Sequence, residues 1–158
     1  MTDDIDLFEV QEIELHYKNK ISPNKRLKIS DAKDAYHVFM KSWDDNKIDF
    51  VEQAKVVLLN RNNQLLGVCE VSTGGVSGTI LDPKIVFAAA LKANASAFIL
   101  AHNHPSGNLS PSLQDKQITR QFIEAGKVLC IEILDHLIVS RLNFFSFASE
   151  PGYDMLSF

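Results

Sequence analysis

The segment richest in chemistry is AHNHPSGNLSPSLQD, residues 101–115. His102 and His104 lie two apart at the end of the short apolar run SAFILA, which reads as a buried strand. Side chains alternate across a strand, so an i, i+2 pair points to one side and can converge on one ion. Imidazole nitrogen is a favoured zinc donor, and a carboxylate is a usual third protein ligand where a position stays open for water. Asp115 is the natural candidate. It falls in the first turn of an amphipathic helix expected over about residues 113–126, with Ile118 and Phe122 on the same face and Lys116, Arg120 and Lys127 elsewhere. A carboxylate turned inward needs a partner, and a metal would satisfy it. Ser112-Leu113-Gln114-Asp115 also fits an S-x-x-D capping box, in which serine and acid close a helix N-terminus. The two readings are compatible, because a hydroxyl at a helix N-terminus is well placed to face developing negative charge.

The elements that must position this loop alternate along the chain. EIELHY, residues 12–17, alternates polar and apolar and reads as a strand. Ser30 resembles an N-cap before Ala32, Ala35, Tyr36, Phe39, Met40 and Trp43, which recur at helical spacing. AKVVLLN and QLLGVCEVS, divided by Arg61-Asn62-Asn63, read as a hairpin. Asp82-Pro83 supplies a cap and a first-turn proline for a helix through Ala93. After the site loop and its helix, VLCIEILDHLIVS reads as one or two strands, and FFSF packs the tail onto the core. The expected class is α/β (α+β), with helices packed on a mixed sheet.

Composition limits the alternatives. At 158 residues, with 46% hydrophobic and 23% charged residues, the chain has the size and balance of one globular domain, not of a disordered or fibrous protein. The most apolar stretch, residues 85–101, is interrupted by Lys92 and Asn94 and is too short and polar to span a bilayer. The acidic start MTDDIDLFEV does not read as a secretory signal, so a cytoplasmic protein is expected. A net charge of -4 argues against coating nucleic acid through phosphate contacts, and the run Lys18, Lys20, Lys25, Arg26 and Lys28 reads as a solvated loop. Cys69 and Cys130 lack any paired CxxC spacing and indicate neither a disulfide framework nor a zinc finger. A triad of Ser106 or Ser146 with His136 has no G-x-S-x-G elbow behind it. Gly74, Gly75 and Gly78 are too sparse for a phosphate loop. Asp135 and His136 are neighbours on a strand and point to opposite faces, so they cannot both ligate one ion; one reads as an outer hydrogen-bonding group.

H-x-H, seven residues, then S-x-x-D resembles the metal-binding core of JAMM (MPN-type) metalloproteases, and residues 105–111 supply the seven. HNHPSG followed by PSxxD resembles more narrowly the RadC branch of bacterial JAB-domain proteins. EQAKVVLLNRNNQLLG, SGTILDPKIVFAAAL, AFILAHNHPSG, LDHLIV and SFASEPG are similar to the corresponding RadC blocks, over about residues 52–152.

That resemblance implies a single JAB/MPN domain over residues 46–158, a curved mixed sheet flanked by helices in a cytidine deaminase-like arrangement, with residues 1–45 as a strand-and-helix extension packed on it. It implies a zinc-dependent hydrolase acting on a peptide or isopeptide bond of an unknown peptide or protein substrate. One Zn2+ would be held by His102, His104 and Asp115, with water as the fourth ligand. Glu52, ahead of AKVVLLN, matches the family's catalytic glutamate, which would move the proton from water to the leaving amine. Ser112 would help hold the oxyanion. Glu70, also on the hairpin, is the rival base; the family match favours Glu52. Two features depart from the family pattern. No helix-hairpin-helix is legible in residues 1–45, which weighs against direct DNA binding, and Asn103 stands where deubiquitinating members carry serine or threonine. The alternative class is a non-catalytic JAB scaffold or a DNA-repair accessory, which a complete ligand set disfavours. Oligomeric state is open, although an exposed strand near the N-terminus would offer an edge to another copy.

Overall fold

The computed structural model describes residues 18–75 and 81–151. The strand expected at residues 12–17 and Gly78 lie outside the described residues. Helix α1 spans Ala32–Ser42, β1 Gln53–Leu59, β2 Leu65–Thr73, α2 Pro83–Lys92, β3 Ala97–Asn103, α3 Leu113–Leu129, β4 Glu132–Val139 and β5 Phe144–Ser146. The strands form one mixed sheet in the order β2-β1-β3-β4-β5, antiparallel except for the β3–β4 pair. That parallel pair needs a crossover, and α3 provides it.

Both faces of the sheet are covered, which is why β1 and β3 are buried at every position. Ala54, Val56 and Leu58 of β1 and Phe98 and Leu100 of β3 face α2 and α3, where Val86, Phe87, Ala90 and Phe122 meet them. Phe87, Phe98 and Phe122 pack as an aromatic trio with centroids 5.4 to 6.1 Å apart. The alternate residues Val57, Leu59, Ile99 and Ala101 face α1 and its Ala35, Val38 and Phe39. His102 continues the first set, so the first histidine belongs to the α2/α3 face of the central strand.

Two boundaries differ from those read in the sequence. The cap of α1 is Asp31, not Ser30: the Asp31 side chain accepts from the Asp34 N–H, while the Asp34 carboxylate accepts from the Ser30 N–H. The Asp31–Asp34 spacing is that of a capping box, but the return bond reaches back one residue further, to Ser30. Asp82 and Pro83 do open α2 as expected, with Ala93 as its C-cap. Helix α3 runs past Gly126 to Leu129, so the VLC segment ends a helix and does not begin a strand. Cys130 stops it in the left-handed region at φ 55°. Gly126 is there for proximity: a Cβ at that position would run into the Ile131 carbonyl where the chain turns into β4.

Alanine is better than glycine in a helix by about 1 kcal/mol, whereas forcing a group into a close backbone contact costs roughly 1–3 kcal/mol. Gly126→Ala is therefore expected to lower stability by about 1–2 kcal/mol in denaturant unfolding; a stabilised variant would show that the close approach imposes no constraint.

Candidate metal centre

The carboxyl end of β3 delivers His102, which is 3% exposed, and His104 follows just beyond the strand. Asp115 arrives from the first turn of α3. His102 Nε2 lies 3.1 Å from His104 Nε2 and 3.1 Å from Asp115 Oδ1, and His104 Nε2 lies 3.8 Å from Asp115 Oδ2. Among the described residues this is the one group of three such side chains able to share an ion. Tetrahedral zinc with bonds of about 2.0–2.2 Å sets its ligand atoms about 3.3–3.5 Å apart. The observed triangle fits that size. Three lone-pair donors aimed at one another repel unless a proton or cation lies between them, so the chemistry of the set fits a cation as well.

Each ligand is held from behind. His104 Nδ1 meets the Asn108 carbonyl, which can only accept, so its hydrogen is on Nδ1 and Nε2 is bare. The turn that brings this carbonyl back, closed by Gly107 N–H to His104 O at 2.9 Å, places Gly107 at φ 79°, where glycine is favoured. Asp115 Oδ2 accepts from the Ser112 N–H and O–H, both at 2.7 Å, and the Asp115 N–H returns to Ser112 Oγ. The capping box is thus present and orients the carboxylate, leaving Oδ1 toward His102. Burial alone would raise the Asp115 pKa. The hydrogen bond and charge of His102, with the two Ser112 bonds, outweigh it and hold the carboxyl well below the ordinary range.

His102 Nδ1 lies 2.9 Å from His136 Nε2, and His136 Nδ1 lies 2.6 Å from Thr119 Oγ1. His136 is fully buried in β4, and its pKa is pushed well below the usual value by burial and then by the neighbouring His102. Of the pair Asp135 and His136, then, His136 is the residue that touches His102. Asp135 points to the other face, where it accepts from Ser146 Oγ at 2.6 Å and Ala148 N–H at 3.0 Å. The Ser146 hydroxyl is spent on Asp135 while both His136 nitrogens are engaged elsewhere, so the structure sets up no Ser146–His136 nucleophile pair. Thr119 was not picked out in the sequence. Its signal was its place four residues after Asp115, on the same helical face.

The two glutamates differ in their surroundings. Ala54 pairs with His102 across β1 and β3. Glu52 lies two residues before Ala54, just outside β1, where its N–H donates to the Gly75 carbonyl at 3.3 Å and its carbonyl accepts from the Gly74 N–H at 2.8 Å. Asn103, fully buried between the histidines, points the other way and ties this segment down: its Nδ2 donates to the Ile48 and Val51 carbonyls, and its Oδ1 accepts from the Gln53 N–H at 2.6 Å. Glu70 pairs with Lys55, whose ammonium lies 3.8 Å from its carboxylate, donates to the Ser42 carbonyl and sits over the Trp43 ring on the α1 side. Burial lowers the Lys55 pKa, and the Glu70 charge opposes that shift. A cavity of about 750 Å³ lies at the other end of the strands, lined by residues such as Arg61, Ser96, Lys127 and Cys130 and by neither histidine.

A mixed α/β sheet carrying an H-x-H pair and a helix-capping aspartate defines a candidate metal centre of JAB type. Residues 29–153 match the RadC-like JAB domain, and the chain belongs to that family. It is 40% identical to a UPF0758 protein of Flavobacterium johnsoniae over 126 residues, which is 80% of this chain and 54% of the relative. A UPF0758 protein of Chlorobium phaeovibrioides is 36% identical over 141 residues, 89% of this chain and 60% of its own. One from Symbiobacterium thermophilum is 46% identical over 97 residues, 61% of this chain and 42% of its own. The chain spans about half the length of these curated relatives. No helix among the described residues is long and apolar enough to cross a membrane.

Removing one donor from a three-ligand set leaves too few protein ligands to hold the ion against water. Purified protein supplied with zinc is expected to retain it near one equivalent, whereas His102→Ala and Asp115→Ala retain little; equal metal content in all three would contradict the assignment.

Proposed function

We propose that this domain is a zinc-dependent hydrolase of JAMM type that cleaves a peptide or isopeptide bond in a peptide or protein substrate. The observation that carries the reading is the convergence of His102 Nε2, His104 Nε2 and the Asp115 carboxylate, with Oδ1 3.1 Å from His102 and Oδ2 3.8 Å from His104. His102, His104 and Asp115 would hold the ion, which in such a set lowers the pKa of water to about 7 and polarises a carbonyl. Glu52 takes the proton from the attacking water and gives it to the leaving nitrogen. Strand alternation carried two residues past the Ala54–His102 pair, toward His104, supports Glu52 for this role, and the Lys55 contact of Glu70 disfavours the rival. Two donors hold Asp115 Oδ2, so the Ser112 N–H can keep the carboxylate in place while the Ser112 hydroxyl turns to a developing oxyanion. A complete, oriented donor set favours an enzyme over a scaffold, and a cytoplasmic setting suits its two free cysteines.

General acid–base catalysis contributes roughly 10²–10⁴-fold. Glu52→Gln is expected to keep its zinc and to lose at least about 10²-fold in cleavage of peptide and isopeptide-linked libraries followed by mass spectrometry. If Glu70→Gln abolishes cleavage and Glu52→Gln does not, the base is misassigned; if the zinc-loaded wild type cleaves no member of either library, the hydrolase reading fails.

A further inference from the structure

We propose that Thr119 and His136 form a hydrogen-bond relay that fixes the tautomer of His102 and so presents its Nε2 bare to the metal. This deepens the zinc reading and rests on it for its purpose, although the relay is set by contacts within the protein.

The direction of each bond follows from counting hydrogens. The Thr119 hydroxyl has one hydrogen, and it lies 2.7 Å from the Asp115 backbone carbonyl, which can only accept. That hydrogen is therefore committed within the helix, one turn back, a common use of threonine in a helix interior. Toward His136 the same oxygen must accept, so the hydrogen of His136 is on Nδ1. The ring then offers a lone pair at Nε2, and the group facing it is His102 Nδ1. His102 must donate there. Its remaining nitrogen, Nε2, is the atom that faces His104 and Asp115: without an ion it can hold a hydrogen toward Asp115 Oδ1, and giving that hydrogen up leaves it bare for a metal. Reversing any one bond leaves two donors or two acceptors opposed at under 3 Å in a fully buried place.

The two histidine ligands thus reach the same tautomer by different means. His104 uses the carbonyl of its own loop, whereas His102 borrows an acceptor from β4 that is itself set by α3. His136 is further fixed by stacking on Phe147, with ring planes 16° apart and centroids 5.2 Å apart. Because the relay begins on the Asp115 carbonyl, the helix turn that supplies the carboxylate ligand also sets the protonation of the histidine ligand. His136 and Thr119 are positioning residues and touch no reacting atom.

The test is a long-range ¹H–¹⁵N correlation of the imidazoles, at mildly alkaline pH, in metal-free and zinc-supplied protein, beside competition measurements of zinc affinity. His102 and His136 are expected to carry a hydrogen on Nδ1 in both samples. Thr119→Val, which keeps the shape and removes the acceptor, is expected to mix the His102 tautomers and weaken zinc binding about 10-fold or more, whereas Thr119→Ser restores both. A hydrogen on Nε2 of His136 in the wild type overturns the relay, as does a Thr119→Val protein with unchanged tautomers and affinity. If Thr119→Val fails to fold, the wild-type spectra still decide. Wild type with the expected tautomers that binds no zinc sinks the metal reading and leaves the relay standing.

Discussion

The structure depends on bringing three lone-pair donors to within about 3 to 4 Å of one another and holding them there. Such an arrangement is unfavourable for a polypeptide left to itself, since bare imidazole nitrogens and a carboxylate repel at that range. It persists because each donor is tied on its far side to a group that belongs to the fold. A loop carbonyl ties His104, the N-cap of α3 ties Asp115, and a buried histidine of β4 ties His102. The centre is a property of β3, β4 and α3 meeting at one end of the sheet, and a cation is the natural partner for it.

The fold supplies that meeting through a simple constraint. Strands β3 and β4 run parallel, so the chain must cross over between them, and α3 is the crossover. The helix therefore begins beside the end of β3 where the histidines emerge, which puts an N-terminal aspartate next to them. At the other end of α3, Gly126 leaves no room for a Cβ against the Ile131 carbonyl, where the chain turns into β4. Asn103 does a matching task on the opposite face, binding the segment before β1 that carries Glu52. The end of β3 thus turns His102 to the candidate metal centre and Asn103 to the support of the segment before β1.

Much of this was legible in the sequence, and the exceptions are instructive. The spacing of His102, His104, Ser112 and Asp115 is local, so strand alternation and helix capping sufficed to bring them together. The hairpin, the α2 cap and the buried strand β3 followed from patterns of the same short range. The end of α3 did not, because an apolar VLC segment looks alike in a helix and a strand, and only the contact with Ile131 decides. Ser30 and Asp31 are both good caps, and in the fold Asp31 accepts from the Asp34 N–H while the Ser30 N–H donates to the Asp34 carboxylate. Which face Glu70 occupies depends on a register shift beside Lys55 that no periodicity announces. Thr119 and His136 are 17 residues apart in sequence and meet only in the packed core.

The central claim is that these three side chains share one divalent cation. Anomalous scattering measured on either side of the zinc edge, on crystals of the zinc-supplied protein, tests it most directly. The account predicts a single strong peak within bonding distance of His102 Nε2, His104 Nε2 and an Asp115 carboxylate oxygen. A peak bound elsewhere, or none at this triangle at full zinc supply, would contradict it.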